Sequence, residues 1–177
     1  MEWLNIGRYA LIGVAVSFVM LYINKAASKP VAENAEGQRV LEVNKLYLVI
    51  GWLGIAMGVG SLLLMVFMWE PGIEVPAIIS TLLFGGSGYM MLLYYRNHKV
   101  VFDEERVTVV GWTGKRFSVK WEEINDIKFN SLSGYIKLYG LGEKANIHFQ
   151  IMGIKSFLDM MEAKTNWRAK DLRIPFR

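Results

Sequence analysis

Residues 89–112 read YMMLLYYRNHKVVFDEERVTVVGW, and the spacing of apolar residues changes inside this stretch, at Tyr95. Before it lie three apolar runs, Ile6–Ile23, Leu46–Trp69 and Val75–Tyr95. After it, apolar and polar residues alternate through six short segments, and the period then becomes helical. The first pattern suits helices crossing a bilayer, and the second suits strands with one buried face. The change at Tyr95 therefore separates an anchor from a small β domain.

A hydrocarbon core of about 30 Å takes roughly 20 apolar helical residues. Leu46–Trp69 and Val75–Tyr95 carry no charged side chain and are long enough to cross. Ile6–Ile23 contains Arg8, which near a helix end can snorkel to the interface, while Trp3, Tyr9 and Tyr22 suit the aromatic belts. Three spans are expected. The divisions are a first transmembrane helix over 1–23, a cytoplasmic loop over 24–45, a transmembrane hairpin over 46–95, a β domain over 97–164 and a basic tail over 165–177.

The loop 24–45 holds Lys25, Lys29, Arg39 and Lys45, and Arg96 and Lys99 follow the third run. The connection Glu70–Glu74 has two acids and no base. Lys and Arg near span ends mark the cytoplasmic side, which puts the N-terminus outside, the 24–45 loop and the β domain inside, and Pro71-Gly72 in an external turn. A competing reading makes the first run a signal peptide cleaved near Ala26-Ala27-Ser28; it would export the basic flanks against that rule. The loop is rich in Ala, Glu and Gln and is compatible with a helix after Pro30.

Composition agrees with this division. The chain is 53% hydrophobic with mean hydropathy +0.27, and the excess is in its first half. It has no cysteine, which excludes disulfides, thiolate metal sites and cysteine nucleophiles. Residues 96–177 hold 15 Lys/Arg against 10 Asp/Glu, a surplus suited to anionic headgroups or to an ordinary solvated sheet face. Within the spans, Gly54-Ile-Ala-Met-Gly58 is a GxxxG that lets helix backbones approach. Neither the second nor the third run has an Asp, Glu, Lys or His at its centre, which weakens a transporter reading.

In the β part, Val107 and Val109 share a face, Phe117, Val119 and Trp121 alternate with Arg116, Ser118 and Lys120, and Ile136 and Leu138 alternate with Tyr135, Lys137 and Tyr139. Ile127 and Phe129 form another set, as do Ile147, Phe149 and Ile151. Turn residues separate them at 103–105, 113–115, 133–134 and 142–143. Ile154, Phe157, Leu158 and Met161 then fall on one helical stripe, suited to covering the open end of a curved sheet.

Strands Lys99–Asp103 and Arg106–Trp112, then Arg116–Trp121 leading into Trp121-Glu122-Glu123-Ile124, three more strands and a closing helix resemble the bacterial pleckstrin-homology-like domain over about residues 97–164. The resemblance implies an α+β fold, a curved antiparallel sheet or partly open barrel capped by one C-terminal helix. It also implies a non-enzymatic binding or assembly module in a bacterial cytoplasmic membrane, in settings such as membrane complexes or bacteriocin resistance. Phosphoinositide-binding relatives have a basic first hairpin turn. Here that turn is Asp103-Glu104-Glu105-Arg106, which argues against inositol phosphate.

Catalytic and cofactor chemistry find no footing. His98 and His148 stand fifty residues apart without metal-ligand spacing, and His148 reads as an outward strand residue. Glu122 and Glu123 would face opposite sides of a strand, and Gly140–Lys144 is a turn and not a phosphate loop. No enzyme activity, cofactor, metal or nucleic-acid partner is expected. The candidate lipid or protein contacts are Lys115 and Arg116 in a basic turn, the strip Tyr135, Lys137 and Tyr139, and the tail residues Trp167, Arg168, Lys170 and Arg173. The expected function is a membrane-anchored interaction module, an accessory of a membrane complex or of resistance to membrane-active peptides. The alternatives are a sensor of anionic lipid and a subunit of an oligomeric transporter. A protein partner or a second copy of the chain fits the first of these.

Overall fold

The computed structural model describes residue 14, residues 17–68 and residues 70–175. The first apolar run falls mostly outside them, so the first of the three expected spans is not among the described elements; residues 17–27 are helical. Trp69, Phe176 and Arg177 also lie outside the described residues.

Among the described residues, two helices are long and apolar enough to cross a membrane: α1 (Lys45–Phe67), with mean hydropathy 2.2, and α2 (Glu74–Asn97), with 1.5. At about 1.5 Å per residue each is roughly 35 Å long. Helix α1 starts where Asn44 Oδ1 accepts the Leu46 N–H at 2.9 Å, satisfying one of the free amides of the first turn. The two run antiparallel around a seam of glycines. A Cβ on Gly88 would stand 2.6 Å from the Gly51 carbonyl oxygen, and one on Gly58 would stand 2.8 Å from Gly85 Cα. The GxxxG of α1 thus packs within its own hairpin. Thr81 to Gly86 is a π-helical turn inside α2. There Thr81 Oγ1 donates to the carbonyls of Ala77 at 2.8 Å and Gly58 at 3.1 Å, while Ser61 and Ser80 share a hydrogen bond at 2.8 Å. These hydroxyls find partners inside the hairpin, as an apolar surround requires.

The β domain has two antiparallel sheets. The first runs in the order β1 (Arg39–Glu42), β2 (Lys99–Phe102), β3 (Arg106–Val110) and β4 (Arg116–Lys120); the second contains β5 (Ile124–Asn130), β6 (Tyr135–Gly140) and β7 (Glu143–His148). Helix α3 (Ile154–Lys164) closes the fold. Two antiparallel sheets and a C-terminal helix are compatible with a pleckstrin-homology-like α+β fold.

Strand β1 comes from the segment expected to be a loop or a helix. It pairs with β2 in the register Arg39↔Phe102 and Leu41↔Val100. The hairpin α1–α2 is therefore inserted between two neighbouring strands of one sheet. Leu41 and Ala27 are fully buried in the same core as Val100, Phe102, Ile136 and Ile147. Phe157 of α3 lies at its centre, edge-on to Phe102 at 5.5 Å and tilted against Trp121 at 5.7 Å. Strands β2 to β4 are shorter than expected, and Trp121–Glu123 is a 3-10 turn and not a strand end. It is held by the Glu123 carboxylate, which accepts the Lys120 N–H at 3.1 Å, so Glu122 and Glu123 do not alternate across a sheet.

Candidate functional site: the junction of hairpin and sheets

Because β1 leads into α1 and α2 leads into β2, one end of the β domain sits against the first turn of α1 and the last turn of α2. Aromatic and polar side chains converge there. Tyr94 stacks on His98 at 4.6 Å and meets Tyr47 at 5.6 Å. Tyr135, the first residue of β6, stands edge-on to His148 at 5.1 Å. Asn97 Nδ2 donates to the Trp112 carbonyl at 2.7 Å, tying the end of α2 to the β3–β4 turn.

His98 is 4% exposed, and its Nδ1 lies 2.8 Å from the Val110 carbonyl. A carbonyl only accepts, so Nδ1 carries a proton toward Val110. Burial lowers the pKa of His98 below its usual 6.5; the Val110 carbonyl partly opposes this, and nearby His148 adds to it. Burial also lowers the pKa of His148, which ends β7 half-buried between Tyr135 and Phe149 rather than pointing outward. The buried Nε2 of His98 and Nδ2 of Asn44 have no hydrogen-bonding partner among the described residues. The junction is thus less completely satisfied than the core, where apolar contacts dominate.

Beside this cluster opens a cleft of about 330 Å³, walled by Tyr94, His98, Trp112, Lys115, Tyr135 and Lys144. Two ammonium groups and a rim of aromatic rings next to an apolar helix suit an anionic group on an amphipathic molecule. Glu143 also lines the cleft and pairs with Lys115 at 3.4 Å. Both partners are at least half exposed, so this pair contributes little and an anion can compete for Lys115.

The residues singled out by sequence divide among three places. Lys115 and Tyr135 meet at the cleft, and Arg116 opens β4 beside it, exposed. Lys137 and Tyr139 lie farther along β6, opposite Lys128 and Asp126. The Lys128 ammonium sits 5.5 Å from the Tyr139 ring centre and 2.7 Å from Asp126, whose carboxylate raises the lysine pKa. The tail stands apart. Trp167, Ala169 and Leu172 pack on the core, Ile174 is buried, and Arg168 pairs with Glu162 at 3.8 Å. Lys170 and Arg173 stay exposed on the turn this makes. Lys164, just before the tail, pairs with Glu104 in the β2–β3 turn, at the end of the domain away from the hairpin.

Sequence reasoning weighed His98 only as a metal ligand and passed over Tyr47, Tyr94, Trp112 and Lys144 as candidates. The first three flank runs that read as span or strand boundaries, and only pairing β1 with β2 brings them together. Among the described residues, no three of His, Asp and Glu converge as metal ligands. No family model and no curated protein matches this chain.

Proposed function

We propose that this chain is a membrane-anchored, non-enzymatic binding module of the bacterial cytoplasmic membrane, whose cleft takes an anionic lipid headgroup on the cytoplasmic side. Helices α1 and α2 cross the bilayer, and residues 24–43 and 98–175 stand together on one face. The observation that carries this reading is the insertion of the hairpin between β1 and β2, which opens the Lys115–Lys144 cleft beside the ends of both apolar helices. A headgroup needs no journey from the bilayer to reach it. Lys45, Arg96 and Lys99 surround the same end and favour anionic lipid at about 1 kcal/mol each near the surface.

Native mass spectrometry of the full chain, released from vesicles of phosphatidylglycerol and phosphatidylcholine, tests this. Retained lipid should be mainly phosphatidylglycerol. Replacing both Lys115 and Lys144 by Ala should remove the preference while leaving the fold intact, since both side chains are exposed. Equal retention of the two lipids by the natural chain would sink the headgroup reading. A copurifying protein seated at the cleft would then favour the membrane-complex reading.

A further inference from the structure

We infer that the tips of the β3–β4 and β5–β6 turns dip into the interfacial layer of the bilayer that α1 and α2 cross, so that the β domain is held at three places rather than on a swivel. The inference rests on the membrane reading of the hairpin, and not on which ligand fills the cleft.

Trp112 and Leu132 are the evidence. Apart from Leu141, they are the large apolar side chains exposed in the β domain among the described residues, Trp112 at 46% and Leu132 at 99%. Both sit on built turns. In the first, Gly111 N–H donates to the Lys115 carbonyl at 2.8 Å, and Asn97 fixes the Trp112 carbonyl. In the second, Asn130 Oδ1 accepts the N–H groups of Leu132 at 3.0 Å and Ser133 at 3.2 Å, and Gly134 N–H returns to the Asn130 carbonyl at 2.8 Å. Leu132 is thus held outward by its backbone with no apolar neighbour to cover it. A lone exposed leucine needs no explanation by itself. Two built tips at the same end of a domain, both beside an apolar hairpin, do.

Their depth follows from their neighbours. Trp112 and Tyr135 share a second cleft, of about 210 Å³, with Tyr47, Met90, Met91 and Tyr94. Met90 precedes Asn97 by seven positions, which is roughly 10 Å along the helix axis. A side chain lining that cleft stands beside the last two turns of α2, between Met90 and Tyr94. Tyr135 opens β6 at this level, and the chain before it, 131–134, continues past the membrane-side end of the strand. Tryptophan favours this depth because its ring is amphipathic. Charge leans the same way: the hairpin end holds Lys45, Arg96, Lys99, Lys115 and Arg116 beside Glu42 and Glu143, while the other end sets Asp103, Glu104, Glu105, Glu122 and Glu123 beside Arg106, Lys120 and Lys164.

The natural chain has no cysteine, so single positions can carry a polarity-sensitive fluorophore without background. The full chain is reconstituted in phosphatidylcholine–phosphatidylglycerol vesicles with and without brominated phospholipid. Probes are placed through Trp112→Cys, Leu132→Cys, Leu63→Cys within α1 and Glu105→Cys at the far turn. Positions 63, 112 and 132 should emit to the blue and be quenched several-fold by bromine, and 105 should behave as in water. If 63 is quenched while either 112 or 132 matches 105, the inference is overturned and the spans stand. If 63 itself matches 105, the spans fail and the inference fails with them.

Discussion

His98 shows what one side chain at the junction does for the whole. Its ring is buried and bonded through Nδ1 to Val110, with a pKa pushed below 6.5 by burial. The unfolded chain therefore takes up its proton first as pH falls. Stability is complete above about 6.5, declines as pH drops below that value, and levels off once the folded ring also protonates. His148 contributes in the same direction. Thermal unfolding of the purified chain in detergent should show a midpoint that falls between pH 7 and 5, and His98→Asn, which keeps an N–H near Val110 but does not titrate, should flatten that fall. An unchanged slope would place the acid sensitivity elsewhere. At the same scale, Gly88 and Gly60 make a matched pair. Alanine at 88 meets the Gly51 carbonyl and should cost about 1–3 kcal/mol or more. Alanine at 60 meets nothing within 4 Å and should be neutral or stabilising by up to about 1 kcal/mol. Denaturation of both variants in mixed micelles separates the packed seam from the open face.

Among the elements, β1 is the one on which the domain boundary turns. A fragment starting at residue 97 holds the last six strands and α3, and this is what the alternating pattern alone recommends. It lacks Leu41, which is fully buried, and it leaves the Val100 edge of β2 without its partner. Such a fragment should show no cooperative unfolding. Joining residues 24–42 to 99–175 through an Asn-Gly turn is sterically natural, because Glu42 and Lys99 are paired across the ladder. That soluble chain should unfold in one transition, and in it Phe157→Ala should cost about 3–5 kcal/mol. Cooperative unfolding of the shorter fragment would show that β1 is dispensable. The tail behaves as part of the fold in the same sense. Removing residues 165–177 strips Trp167 and Ile174 from the core, so it should lower the unfolding midpoint and leave lipid selectivity unchanged.

At the scale of the molecule, the pairing of β1 with β2 constrains topology. Residues 24–43 and 98–175 share one core, so the proposed crossing of α1 and α2 puts them on the same side of the membrane, with the Gly72 turn on the other. In that proposal the clustering of Lys and Arg assigns the shared side to the cytoplasm. An impermeant thiol reagent on intact cells should therefore label Gly72→Cys and leave Glu105→Cys and Ala35→Cys unlabelled until the cells are opened. Position 105 is preferable to 134 for this purpose. A side chain at Gly134 would stand 2.9 Å from the Phe149 ring on a backbone with φ of +67°. Labelling of 105 but not of 72 would invert the orientation.

Much of this molecule is written in short-range patterns. The uncharged runs of α1 and α2, the alternation in β3, β4 and β6, and the stripe of α3 all follow from local spacing, because a helix or half-buried strand must show its apolar period along its own length; β7 runs from Glu143 to His148, so Phe149 and Ile151, expected within it, lie in the turns before α3. Lys115 and Tyr135 were legible as surface residues for the same reason. Strand β1 was not: RVLE is four residues long, places Val40 and Leu41 side by side, and acquires its identity only from a partner beyond the whole hairpin. The junction was hidden with it. Tyr47, Tyr94, His98, Trp112 and Lys144 come from four separate elements, and each alone is an ordinary boundary or turn residue. What the amino-acid order determined by itself was therefore the kind of those periodic elements and the place where charge gathers along the chain. Tertiary structure alone decided that the apolar hairpin is an insertion within a sheet, because long-range strand pairing leaves no periodic trace in the segment that supplies the missing edge.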